Sequence, residues 1–222
     1  MPIPTLEEAV EAVRQAREKS KPRKFSQSFE LLVKLPHFDP RKPEYKQNKS
    51  ILLPHPIKST TLAVFAVGEK RTLAEKAGAD FSMSRDELNA LSQDKKAARK
   101  VAKGYDYYLA EPELMPTVGR ILGPYLGPRG RMPDPIPPNA DIASVVQREK
   151  KTVRIRMKDQ PFFSVKIGEE SMTDREIAEN ALAVINEVAR DMKNPSVEIG
   201  DVLFKLTMGS PARAKPEKKQ VV

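Results

Sequence analysis

Cysteine is absent from all 222 residues. That removes disulfides, thiolate nucleophiles and Cys-ligated zinc from the chemistry open to the chain. Long apolar runs are absent as well; none approaches the roughly 20 residues a membrane-spanning helix needs. The opening MPIPTLEEAV lacks the basic-then-apolar plan of a signal peptide. These absences predict a soluble, intracellular protein with no membrane partner. Negative charge is in deficit, with 30 Asp+Glu against 39 Lys+Arg and a formal net charge of +9. Such an excess suits a polyanionic partner, because each phosphate met by Lys or Arg releases bound counterions. A composition 31% charged and 39% hydrophobic is that of a folded chain, not a disordered tail.

The nucleotide motifs are missing too. There is no G-x-x-x-x-G-K-[ST] and no G-x-G-x-x-G. The one glycine-rich basic stretch, MPTVGRILGPYLGPRGRMPDP (Met115 to Pro135), has four glycines, five prolines and three arginines, and no carboxylate before Asp134. A phosphate cradle needs successive backbone N–H groups turned to one anion, yet Pro124 and Pro128 put a residue without an N–H beside Gly123 and Gly127. The stretch therefore reads as a proline-stiffened turn with glycines at positive φ. It holds out Arg120, Arg129 and Arg131 as an exposed basic cluster for RNA. Catalysis has little support. His37 and His55 share no metal-ligand spacing, and nothing places two of Glu111, Glu113, Asp134 and Asp141 together.

Along the chain, Thr5 and Glu8 form a capping box for a helix with Leu6, Ala9, Val10 and Val13 on one face. A basic ramp through Arg14, Arg17 and Lys19 to Lys24 follows. Phe29, Leu31, Val33 and Leu35 alternate with Ser28, Glu30 and Lys34, predicting a strand with one buried face. Residues 36–49 read as a loop, and Ile51 to Leu53 as a short strand. The rhythm changes at LAVFAV (Leu62 to Val67), a run that predicts a strand buried on both faces. Strands near 80–83 and 107–110 alternate with helices over 72–77, 86–103 and from 113, the pattern of a parallel sheet. Alternation returns with Val153, Ile155 and Met157, then Phe163, Val165 and Ile167. A helix over 173–192, a strand over 197–206 and a loose basic tail over 212–219 complete the reading. The expected fold class is an α+β split domain with an inserted α/β Rossmann-like three-layer domain. Its expected boundaries are 1–56 with 151–222, and 57–150.

Three basic features remain. Lys95, Lys96, Arg99, Lys100 and Lys103 share one side of the helix after Asp86, either as a solvated face suited to a helix C-terminus or as RNA contacts. Arg23-Lys24-Phe25-Ser26-Gln27-Ser28 combines cations, a stacking ring and short hydroxyls ahead of the first strand. Lys205 to Ser210 ends the last strand with Thr207, Gly209 and Ser210, suited to close backbone approach and ribose 2′-OH bonding.

Together these segments resemble the large-subunit ribosomal protein L-one family, archaeal type. The match is carried by MPTVGRILGPYLGPRGRMPDP, KFSQSFELLVKL, LLPHP, LAVFAVGE, KIGEESM and LTMG, in order and over nearly the whole chain. Two details depart from the family: Ser210-Pro211 replaces a Pro directly after the glycine, and Glu169 stands where bacterial members carry Lys. The resemblance implies a non-enzymatic protein without cofactor, monomeric within the ribosome, whose terminal segments grip the stalk of the large-subunit rRNA. It implies an RNA face of Lys24, Phe25, Ser26, Ser28 and Glu30 with Thr207, Met208 and Gly209, bordered by Lys166 and Gly168. It further implies contact with exit-site tRNA and, in many members, repression of translation from the protein's own mRNA. The competing expectations are a nucleotide-binding α/β enzyme and a basic DNA binder.

Overall fold

The computed structural model describes residues 3–36, 48–58, 60–137, 140–157, 160–191 and 199–214. His37 and most of the expected 36–49 loop lie outside these residues, as does the tail beyond 214. The first segment forms α1 (Leu6–Glu18), β1 (Ser28–Lys34) and β2 (Asn48–Leu52). The middle forms β3 (Leu62–Phe65), α2 (Glu69–Lys76), β4 (Phe81–Met83), α3 (Arg85–Leu91), α4 (Lys95–Gly104) and β5 (Tyr107–Ala110). It continues through α5 (Met115–Ile121), α6 (Gly123–Leu126), β6 (Asp134–Pro135) and α7 (Ile142–Lys150). The last segment forms β7 (Thr152–Arg156), β8 (Phe162–Glu169), α8 (Asp174–Asp191), β9 (Val202–Leu206) and β10 (Ala212–Arg213). An antiparallel-sheet part and a parallel four-stranded part with helices make the fold. The chain divides into two compact units, 1–57 with 151–222, and 58–150.

In the first unit the sheet order is β10-β9-β1-β8, all antiparallel. Phe29, Leu31 and Val33 are fully buried and share one core with Phe163, Ile167, Phe204 and the apolar stripes of α1 and α8. Both long helices start as their sequences dictate. Thr5 and Glu8 exchange the two bonds of a capping box, and Thr173 does the same with Glu176. A second, two-stranded sheet pairs β2 with β7. Beside it, the Leu53 N–H donates to Lys151 O at 2.8 Å, so the outgoing and returning chains lie together.

A β-bulge interrupts the β1–β8 ladder. Phe29 faces Gly168 and Glu30 faces Lys166, leaving Ile167 as the extra residue. Its carbonyl accepts from Asn180 Nδ2 at 2.9 Å. The fully buried Asn180 also holds His55, accepting from its N–H at 2.9 Å and donating to its carbonyl at 3.0 Å. One amide thus joins bulge, helix and crossing. His55 Nε2 lies 2.6 Å from Glu179 Oε2, making this histidine a packing residue of the crossing.

In the second unit the order is β4-β3-β5-β6, all parallel. Leu62 and Val64 of β3 pack with α2 and α7 on one face. Ala63 and Phe65 pack with helices α3 to α6 on the other. That two-sided burial is why β3 is apolar throughout.

Several expectations are corrected. The 86–103 helix is two helices, because Asp94 accepts from the Lys96 and Ala97 N–H groups and caps a fresh start. The Met115 to Pro135 stretch is mainly helical, not a turn. A proline stands in the first positions of both α5 and α6, where no N–H is needed, and Val118, Ile121, Leu122 and Leu126 face the core. Of its four glycines only Gly130 has a positive φ, 67°. Asp141 caps α7, which the sequence reading passed over. β9 begins at Val202, the expected start at 197 lying outside the described residues, and Lys49 lies in β2. Ala212 and Arg213, expected to be loose, pair with Phe204 and Leu203.

Asn180→Ala strands several backbone groups and is expected to lower stability by about 2–3 kcal/mol in urea unfolding. A second expectation concerns pH. The Glu179 carboxyl is held below the usual carboxylate range by its hydrogen bond with His55 and then by Arg175. Its contribution is present above the unfolded-state value and is lost as pH falls through the lower folded value. The stability gap between wild type and Glu179→Gln should therefore narrow on acidification below about pH 4.

Candidate nucleic-acid interface

The ends of the chain's first and last segments meet at Gln27. This side chain is 1% exposed, although both neighbours, Ser26 and Ser28, reach solvent. Its Oε1 accepts from the Met208 N–H at 3.2 Å and its Nε2 donates to Ser20 Oγ at 3.4 Å. Its N–H donates to Glu170 Oε2, and its carbonyl accepts from the Glu170 N–H. One step on, the Ser28 carbonyl accepts from both the N–H and the hydroxyl of Thr207. Three segments far apart in sequence are locked to one another by amide and hydroxyl groups.

Arg17 fixes the same junction from beneath. Its guanidinium donates to the carbonyls of Glu170 and Met172, pairs with Asp174, and stands 5.1 Å from the centre of the Phe29 ring. The sequence reading placed Arg17 in a basic ramp. The planar fork of arginine, with two carbonyls and a carboxylate in reach, gives it an internal role instead.

On this frame Phe25 and Met208 remain 54% and 58% exposed. Two large apolar side chains are thus held in water beside Lys24 and Ser26, both exposed. Beyond them, on the sheet face away from α1 and α8, Glu30 stands in register with Lys166 on one side and Lys205 on the other. Lys166 Nζ is 3.2 Å from Glu169 Oε1, and Lys205 Nζ is 4.0 Å from Glu30 Oε2. The Glu169 departure thus supplies a carboxylate to Lys166. A carboxylate between two lysines repels phosphate locally but accepts from ribose hydroxyls and base amines.

The two glycines expected on this face serve packing. A Cβ at Gly168 would meet Ile177 Cγ1 at 2.9 Å, on the helix side of the sheet. A Cβ at Gly209 would meet Ser20 Oγ at 3.1 Å and Leu206 Cβ at 3.2 Å. The close approach at Gly209 is therefore to the protein's own chain. Thr207 likewise has its hydroxyl proton directed to Ser28, leaving the oxygen as an acceptor.

Arg120, Arg129 and Arg131 belong to the other unit, and they do not act alike. Arg120 and Arg129 are exposed. Arg131 donates to the Tyr105 carbonyl at 2.7 Å and pairs with Asp106, so it is a brace and not part of an open cluster. Where the strand order of the parallel sheet reverses, between β3 and β5, doubly wound proteins bind nucleotides. Here Glu111 fills that position: one oxygen accepts from the Val67 N–H and the other pairs with Lys70, both at 2.8 Å. Among the described residues no group of three or more His, Asp or Glu could hold a metal ion. Among the described residues no helix is long and apolar enough to cross a membrane.

Sequence reasoning missed Gln27 and Arg17 as organisers. The only signal was a glutamine sandwiched between serines at the first position before a strand, which carries no periodicity.

An antiparallel sheet with Glu30, Lys166 and Lys205 on the face away from its helices, and a parallel four-stranded sheet with helices on both faces, define a mixed α/β class of protein. The model described as the ribosomal protein L1p/L10e family matches residues 16–210, and the chain belongs to that family. It is 46% identical over 210 residues to the large ribosomal subunit protein uL1 of Thermofilum pendens, covering 93% of this chain and 92% of the relative. It is 45% identical to that of Pyrobaculum aerophilum, with 91% of each covered. Identity to that of Methanocaldococcus jannaschii is 42%, over 96% of this chain and 97% of the relative.

Replacing Gln27 by Ala removes the acceptor for the Met208 N–H. Hydrogen exchange at Met208 should accelerate about tenfold, while the amides of Leu31 and Val33 stay protected.

Proposed function

We propose that this protein is a structural component of the large ribosomal subunit that binds the rRNA stalk through the surface where residues 23–30 meet 205–209. The observation that carries the reading is Phe25 and Met208, each more than half exposed beside Gln27 and Ser28, whose hydrogen bonds hold the 207–208 backbone against the start of β1. Large apolar side chains held in water suit a partner that presents flat base faces. Glu30, with Lys166 and Lys205 on either side, reads ribose and base edges, and Lys24 supplies attraction to phosphate. The Thr207 oxygen accepts from a 2′-hydroxyl, which selects RNA over DNA.

Two finer roles complete the reading. Arg120 and Arg129 of the second unit touch tRNA leaving the exit site and assist its release. An mRNA element shaped like the stalk competes for the same surface, so surplus protein represses its own translation. Location on cytoplasmic ribosomes follows. The alternative of a nucleotide-binding enzyme is disfavoured by Glu111, whose carboxylate occupies the crevice a phosphate would need.

The test is a filter-binding titration of full-length protein with stalk RNA at several salt concentrations. Met208→Ala is expected to weaken binding at least tenfold, since stacking contacts are worth roughly 1–3 kcal/mol. Lys58→Ala, which removes an exposed charge of the second unit, should cost about twofold or less. Equal small losses at both positions would overturn the proposed surface.

A further inference from the structure

A groove runs along α4 of the second unit, where that helix meets α6. It consists of two hollows of about 330 and 250 Å³ that share Pro124 and Tyr125. Lys95 and Arg120 border the first; Arg99, Lys103 and Arg129 border the second. No carboxylate is among the described residues lining either hollow. Four other cations of this unit are neutralised: Lys70 by Glu111, Arg71 by Glu75 and Glu87, Arg131 by Asp106, Lys150 by Asp80. The five cations of the groove make no ion pair with any described residue. Like charges left together repel one another, and that repulsion is relieved when an anion arrives.

We propose that this groove binds a single-stranded RNA segment, with a base stacked on Tyr125 and successive phosphates along Lys95, Arg99 and Lys103. The proposal rests on the reading of the loop arginines as RNA-facing and adds the groove, the helix row and the single-stranded character of the ligand. Two features select that ligand. The row places a cation every four residues, about 6 Å along the helix axis, close to the phosphate separation in an extended strand. Tyr125 and Pro124 give the floor an aromatic ring and a proline ring, on which any base can rest. An acidic peptide would satisfy the cations but bring no flat partner for that floor. A duplex keeps its base faces stacked inside and cannot use it either.

The experiment uses full-length protein already saturated with unlabelled stalk RNA, so that the first unit's surface is occupied. A fluorescein-labelled uridylate octamer is then titrated in and followed by anisotropy across a salt series. Saturable binding is expected, weakened about tenfold by Tyr125→Ala and retained by Tyr125→Phe, which keeps the ring and its packing. Arg99→Gln combined with Lys103→Gln should also weaken it about tenfold. The double change should flatten the slope of log Kd against log salt by about 1.4, as for two phosphate contacts on a single strand. Polyglutamate or duplex RNA should compete at least tenfold less well than unlabelled octamer. Absence of saturable binding, indifference to both Tyr125→Ala and the charge changes, or equal competition by polyglutamate would each overturn the proposal. Should Tyr125→Ala fail to fold by circular dichroism, the double charge variant decides alone. Stalk RNA binding is expected to be unaltered by all these changes; if the unsubstituted protein binds stalk RNA but not the octamer, the groove is overturned and the first surface stands.

Discussion

The pairing of β1 with both β8 and β9 is the constraint on which the first unit depends. Residues 28–34 have no partner nearby in sequence; their hydrogen bonds go to residues 162–169 and 202–206. Every buried side chain of β1 meets a core supplied mainly from the far end of the chain. Gln27 and Arg17 extend that long-range closure beyond the ladder, holding the approach to β1, the turn before α8 and the end of β9 in one arrangement. The exposed Met208 owes its backbone position to this closure, and the exposed Phe25 stands two residues before Gln27. Polar bonds at the periphery therefore give the surface its shape, while apolar burial gives it stability.

The second unit solves a different problem with different means. Its parallel strands bury both faces and need helices on each, so its sheet offers no free surface. The position where a doubly wound sheet usually receives a ligand is taken by Glu111, which satisfies the Val67 N–H and the Lys70 charge from within. What remains for contact is the outer side of the helices. There, about Tyr125, the unit carries five cations that make no ion pair with any described residue.

Strong periodicity was legible. The alternation through Phe29, Leu31 and Val33, the unbroken LAVF run and the two capping boxes at Thr5 and Thr173 all gave the right element in the right place, because each rests on local physics. The break between α3 and α4 was missed although Asp94 is a good cap, since the apolar spacing continues across it. The Met115 to Pro135 stretch misled because proline and glycine were taken as turn formers. At the first turn of a helix proline is at home, and the apolar residues 118–126 carry the helical spacing. Strands β6 and β10 hold two residues each and exist only through their neighbours. The exposed ring of Phe25 was visible in the sequence, but the role of Gln27 was not, because its partner Met208 is 181 residues away.

The interleaved topology also orders events during synthesis. Residues 58–150 form their sheet from strands close together in the sequence and can collapse as soon as they leave the ribosome. β1, made earlier, must wait with its apolar face uncovered until residues near 206 have been translated. A nascent chain thus carries a finished middle and an unfinished beginning. Its surface of Phe25 and Met208 comes into being only once β9 has been made, so an incompletely translated copy lacks it.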